Sequence, residues 1–228
     1  MSDKWPQESS GSRLLRTIQA ITISPAKAKE IVARYWEQSE NAHRKDSRWQ
    51  HQERISDQII ARYARLAAIA GGGSSLPGII PGLGTVVAAT GGAAMNVAAC
   101  IKLQVDMCFC LAETFEYDVT AERARNLAFL VAAGATLEKT DLEGTVKFAS
   151  QAGVRLLQRY AKRAALRVAE KLLARVASAF AGKVLEKSLP FGLGVAIGSG
   201  ISYARTKRVG RQAKDWFLID RTLPQEAD

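Results

Sequence analysis

From Leu66 to Ile101 the chain runs for 36 residues without one Asp, Glu, Lys or Arg, and no other feature restricts its folding as strongly. An uncharged run of that length has to be buried, in a protein core or in lipid. About 20 predominantly apolar residues cross a hydrocarbon layer roughly 30 Å thick, so length alone permits a membrane span. Composition argues against one, because the run holds eight glycines, two prolines, an Asn and many alanines, far less apolar than a Leu, Ile, Val and Phe segment. Residues 66–101 are accordingly read both ways, as a buried hairpin of the protein and as a segment that enters a bilayer.

Pro77 and Pro81 each lack an amide hydrogen and disfavour helix at the preceding residue. The run therefore divides into a helix ending near Ala70, a Gly-rich turn, and a second helix that begins near Pro81 to Gly84 and continues from Lys102 to Tyr117. Gly84, Ala88 and Gly92 recur every four residues and line a face small enough for close backbone approach. Near the C-terminus Ser188-Leu189-Pro190-Phe191-Gly192-Leu193-Gly194 echoes Ser75-Leu76-Pro77 and Gly82-Leu83-Gly84, and sets Gly194, Gly198 and Ser202 opposite Gly84, Ala88 and Gly92. A true repeat and a chance match of small residues both fit. With abundant Ala, few prolines and no convincing strand, the expected class is all-α: a multi-helix bundle with two Gly/Pro-rich apolar helical hairpins. Residues 1–23 read as a polar N-terminal segment, 24–218 as one helical domain and 219–228 as a polar tail.

Ser24-Pro25 is a helix start, with a serine oxygen for the cap and a proline where the missing donor costs nothing. Ile55, Ile59, Ile60, Tyr63, Leu66 and Ile69 follow the spacing of a buried helix face. Asp106 is the acidic residue of most interest, since Val105, Met107, Phe109 and Leu111 surround it. It is read either as the partner of Lys102 in a helix-surface pair or as a buried, functional carboxylate. Cys100, Cys108 and Cys110 fall in one helix, odd in number and unpaired in spacing, which fits core packing in a reducing cytoplasm. His43 and His51 sit in a charged stretch and are expected to be solvated. No metal site, cofactor site or catalytic constellation is expected, and the N-terminus lacks the apolar core of a secretory signal.

Lys and Arg outnumber Asp and Glu by 32 to 22, a net charge of +10 that favours a polyanionic partner. Between Val154 and Lys214 there are 14 basic residues against Glu170 and Glu186. A helix expected over 154–186 carries Arg155, Arg159, Arg163, Arg167, Lys171 and Arg175 at steps of four, a slanting band that winds about 200° around a 3.6-residue helix. Arg205, Lys207 and Arg208 follow the second uncharged stretch. These side chains are candidate contacts for anionic lipid or phosphate, alongside the bland reading of a solvated helix side.

The landmarks together resemble the EcsC family. They are Ser24-Pro25, Leu76-Pro77-Gly78 and its following glycines, Asp106, Tyr117-Asp118, Leu189-Pro190 with Gly192 and Gly194, and the helix end from Ala213 to Phe217, covering residues 24 to 217. The family often carries glycine within the aromatic-Asp motif, where this chain has Glu116. The resemblance implies a bacterial helical protein, from a family named after a member encoded beside an ABC transporter, with no established catalytic residues.

Three functions compete. The first is a non-enzymatic, membrane-associated protein at the cytoplasmic face, meeting acidic lipid or a membrane complex through its hairpins and basic helix. The second is nucleic-acid binding through residues 154–186, against which stand the scarce aromatic interleaving and the absence of a helix-turn-helix, zinc or RNP signature. The third is a lipid-processing enzyme using Asp106 and Glu113, against which stands the lack of GxSxG, Walker or HExxH motifs.

Overall fold

A computed structural model describes residue 16, residues 18–71, 92–137 and 147–163, positions 167, 168, 171 and 175, and residues 193–223. Every regular element among them is a helix, packed as a multi-helix bundle: α1 (Pro25–Ala42), α2 (Arg48–Gly71), α3 (Gly92–Thr114), α4 (Glu122–Leu137), α5 (Gln151–Arg163) and α6 (Leu193–Thr222). The uncharged hairpin positions Gly84 and Ala88 lie outside the described residues. Gly92, Gly194 and Gly198 stand in helices, while their surroundings lie outside the description as well.

Helix α3 is the axis of the bundle because its sequence is apolar all round, and such a helix has to be enclosed on every side. Residues 99 to 112 are all buried, and α1, α2, α4 and α6 pack around them. The three cysteines are free and buried in this helix. Burial pushes all three thiols up, Cys110 to about 12, which leaves them inert at neutral pH.

The most extensive helix pair is α2 against α6. Gln52 meets Arg221, Asp57 meets Lys214, and Ile60 lies against Gly210, so the two run antiparallel. A Cβ on Gly210 would come within 2.7 Å of Ile60 Cγ1 and 2.9 Å of Met107 Sδ. Only glycine lets three helices close at that point.

Ser24 accepts the Lys27 amide at 3.2 Å with Pro25 following, and opens α1. The packed unit is wider than 24–218. Ile18 and Ile21 are buried in the core, while α6 continues to Thr222 and Leu223 is buried behind it. Their apolar side chains outweigh the polar residues around them.

Helix α3 ends in a six-to-one turn. Tyr117 N–H donates to Ala112 O at 3.0 Å and Glu116 N–H to Glu113 O at 3.0 Å, the pair of bonds that defines a Schellman end. Its geometry demands a left-handed residue, and Glu116 takes it with φ 69°.

Candidate functional site

The charged residues of α3 form the first constellation. Lys102 and Asp106 are one turn apart and paired, with side chains only 1% and 3% exposed. A surface pair is therefore the wrong description: enclosure of α3 by its neighbours takes both charges out of water. The other carboxylate oxygen of Asp106 accepts the backbone N–H of Ile23 at 3.0 Å, which ties the segment before α1 onto the central helix. Burial raises the Asp106 carboxyl above its ordinary range, against Lys102 and the Ile23 amide, which lower it. Each oxygen has one partner, so the group ties Lys102 and the segment before α1 together on α3. Glu113, half-buried and also raised by burial, is two turns further along, about 10 Å by helix rise.

Elsewhere on α3, Thr136 Oγ1 lies 2.8 Å from the Gln104 side-chain amide and 2.7 Å from Ala132 O. One hydroxyl proton serves one acceptor. Turning the Gln104 NH2 toward Oγ1 lets it donate there while the hydroxyl donates to Ala132, which satisfies more groups. A cavity of about 330 Å³ opens on the outer side of Ile23, against Phe109, Phe129 and Arg125.

At the end where α3 stops, polar side chains knit four elements together. Gln52 Nε2 donates to Thr114 O and to Glu116 Oε1, both at 3.1 Å, and its Oε1 accepts from Arg221 at 2.9 Å. Arg48 Nε donates to Glu116 at 2.7 Å. Asp220 accepts from the Tyr117 hydroxyl and the Gln158 amide, and burial pushes its carboxyl up to about 6.

His51 is not solvated. It is 6% exposed, because α1 lays Ser39 and Trp36 over the first turn of α2: Ser39 Oγ sits 2.7 Å from His51 Nδ1, and the Trp36 ring centroid is 5.8 Å from that of His51.

The opposite end of α2 and α6 is apolar and basic. Among the described residues, apart from Trp49, the exposed large hydrophobic residues are Ile69, 41% exposed and so off the buried face expected for it, and Ile201, 54% exposed. The antiparallel register places them at one level. Arg65 and Arg62 stand four and seven residues before Ile69, and Arg205 and Arg208 stand four and seven after Ile201. Each helix thus carries an apolar tip with two guanidiniums about 6 and 10 Å below it. Lys207 lies beside them over the Tyr203 ring. No Asp or Glu occurs between Asp57 and Asp106, or between Glu186 and Asp215, so no carboxylate of these segments shares that end.

The candidate basic residues do not form one patch. Gln158 of α5 meets Asp220 of α6, so Arg159 lies near the level of Asp220. Arg205 to Arg208 are 12 or more residues nearer the start of α6, about 18 Å away along the axis. Arg155, Arg159, Arg167, Lys171 and Arg175 are exposed, and the exposure of Arg163 lies outside the description. Among the described residues no group of His, Cys, Asp and Glu could hold a metal ion, and no helix is long and apolar enough to cross a membrane.

No protein-family model, curated protein or solved structure matches the chain.

Proposed function

We propose that this protein is a non-enzymatic, membrane-associated helical protein of EcsC-like architecture that docks the Ile69–Ile201 end of α2 and α6 on an acidic lipid surface at the cytoplasmic face. One observation carries the reading: two exposed apolar tips at one level, each with basic residues one and two turns below, in segments that contain no acid. Apolar groups enter the headgroup boundary while the cations stay at phosphate depth. Each Lys or Arg at an anionic surface contributes about 1 kcal/mol, so Arg62, Arg65, Arg205, Lys207 and Arg208 together supply about 5 kcal/mol, a few thousandfold in affinity. The uncharged stretches that leave α2 and lead into α6 extend the same apolar end in sequence. The positive φ of Glu116 supports the EcsC resemblance, since a glycine there suits the same left-handed turn.

The test separates the two basic groups. Sedimentation with anionic and neutral vesicles is compared for wild type, for Arg62→Glu/Arg65→Glu/Lys207→Glu/Arg208→Glu, and for Arg155→Glu/Arg159→Glu/Arg167→Glu/Lys171→Glu, with circular dichroism confirming the fold. Wild type is expected to bind anionic vesicles only, the first variant to lose at least 100-fold, and the second to keep most of its binding. Failure of wild type to bind anionic vesicles, combined with tight binding to duplex or single-stranded nucleic acid at the same physiological salt, overturns the proposal in favour of a nucleic-acid contact through α5.

A further inference from the structure

At the end of the bundle remote from Ile69 and Ile201, a cavity of about 400 Å³ is lined by Trp36, Glu40, Arg44, Asp46, Arg48 and His51. That volume lies within the range of about 300 to 1,000 Å³ usual for small-molecule sites. We infer that this cavity binds a small zwitterion of the α-amino-acid class, its carboxylate read by Arg44 and the His51 ring N–H, its ammonium by Glu40 and Asp46, and its side chain laid on Trp36.

His51 is the one lining group that is deeply buried, at 6% exposure. Its Nδ1 faces Ser39 Oγ at 2.7 Å. Of the two proton arrangements, Ser39 O–H donating to Nδ1 uses the hydroxyl proton, whereas the reverse leaves that proton without an acceptor on the inner face of α1. That arrangement leaves Nε2–H as a donor on the side of the ring turned away from Ser39. Ser39 does not line the cavity and its oxygen is committed to Nδ1, so the pair works as an oriented donor rather than a nucleophile and base.

The charges around it decide the ligand class. Two guanidiniums and two carboxylates line the space, so a plain anion meets two like charges and so does a plain cation. A ligand bearing both charges meets partners for each. Asp46 has one oxygen engaged by Arg54, which leaves its other oxygen as an acceptor. Arg48 is fixed in place by Glu116 at 2.7 Å and by the Trp36 ring, with its guanidinium carbon 5.4 Å from the ring centroid. Arg44 and Glu40 are exposed, and neither has an ion-pair partner within 4 Å among the described residues. The cavity therefore offers one donor on a buried ring, one guanidinium held by stacking, and two opposite charges not yet spent on each other.

The experiment follows the His51 ring and Trp36 indole resonances in the full chain while the common L-amino acids are added singly. Any amino acid that gives a response is then compared with its N-acetyl and its carboxamide derivatives, each of which keeps one charge and loses the other. Saturable shifts are expected with the free amino acid, at least tenfold weaker binding for both blocked forms, and at least tenfold weaker binding in Arg44→Ala and in Glu40→Gln. Both substitutions are at exposed side chains, so the fold, checked by circular dichroism, stays intact. His51→Gln, which keeps a side-chain N–H but not its placement, is expected to weaken binding with little change in the Trp36 environment of the free protein. No response to any amino acid, equal binding of a blocked form, or an undiminished response in Arg44→Ala overturns the inference. Vesicle binding through the remote Ile69–Ile201 end is unaffected by any of these outcomes.

Discussion

The buried pair on α3 allows a sharp energetic test. Removing one member of a buried pair strands the other charge and costs about 3 to 5 kcal/mol, whereas replacing both with neutral groups of similar volume is often close to neutral. Lys102 and Asp106 are 1% and 3% exposed at their side chains, which places them fully in that regime. Asp106→Asn keeps a carbonyl oxygen for the Ile23 N–H yet leaves Lys102 without its counter-charge, and should cost about 3 to 5 kcal/mol. Lys102→Met strands Asp106 by a similar amount at pH 7. The double variant should lie within about 2 kcal/mol of wild type, giving a coupling of at least about 3 kcal/mol. Asp106→Ala should cost more than Asp106→Asn, by about 1 to 3 kcal/mol for the orphaned Ile23 amide. The assay is urea unfolding followed by far-UV circular dichroism, at pH 7 and again at pH 5. Burial has already raised the Asp106 carboxyl, and loss of Lys102 removes the main influence pulling it down. A raised acid contributes stability that is complete below its unfolded pKa and is lost as pH rises through the folded one. The Lys102→Met penalty should therefore shrink at pH 5. Additive single and double variants, or a penalty that grows on acidification, would refute this account of the α3 core.

Glu116→Gly should be more stable than Glu116→Ala by about 1 to 2 kcal/mol, reversing the usual helix order, because φ 69° costs an alanine and not a glycine; equal denaturation midpoints would show that the turn relaxes. Gly210→Ala should lose about 1 to 2 kcal/mol against Ile60 and Met107, whereas Gly200→Ala, with nothing within 4 Å of its Cβ, should gain up to about 1 kcal/mol, both read from thermal unfolding. Asp220, pushed up to about 6 with the sign of a raised acid, contributes stability that is complete below about pH 4 and is lost as pH rises through about 6. Asp220→Asn should therefore flatten the stability profile between those values, and an unchanged slope would count against the placement of that carboxyl.

Much of the helical framework could be read directly from the chain. Ser24-Pro25 marked α1, and the Ile55, Ile59, Ile60 and Tyr63 series marked the buried face of α2, because caps and 3.6-residue periodicity are local signals. Asp106 stood out by its apolar neighbours, but its depth did not. A helix with no polar face shows no preferred side, so the pattern could not say that Lys102 and Asp106 turn inward. The Ile23 tether to Asp106 spans 83 positions, and the Gln52 links to Thr114 and Arg221 span 62 and 169; no spacing rule reaches that far. Among the described glycines, the crowding between helices falls at Gly210, against Ile60 and Met107. That glycine continues the step-of-four series Gly194, Gly198 and Ser202 through Thr206.

His51 and Ile69 show most plainly how coverage overrides periodicity. They are 18 residues apart on α2, five full turns, and so occupy the same side of one helix. Measured from Ile55 at 100° per residue, the buried series Ile59, Tyr63, Ala67 and Ala70 centres near 75°, and both His51 and Ile69 lie about 115° away from it. On α2 taken alone, both fall on the side of Gln58, Arg62 and Arg65, which corrects the expectation that Ile69 continues the buried face. Helix α1 covers the first turns and places Ser39 and Trp36 over His51, so a polar side chain in a polar stretch becomes buried. At the last turn the same side is open, and an apolar side chain that continues the isoleucine series is left 41% exposed. The residue types are the reverse of what the environments would ordinarily select. Isolated exposed isoleucines are common, but this one shares its level with Ile201 and stands above basic residues on both helices, while the buried histidine holds a ring donor beside opposite charges. On the two proposals above, each departure lies at the end of α2 that a partner outside the fold would meet.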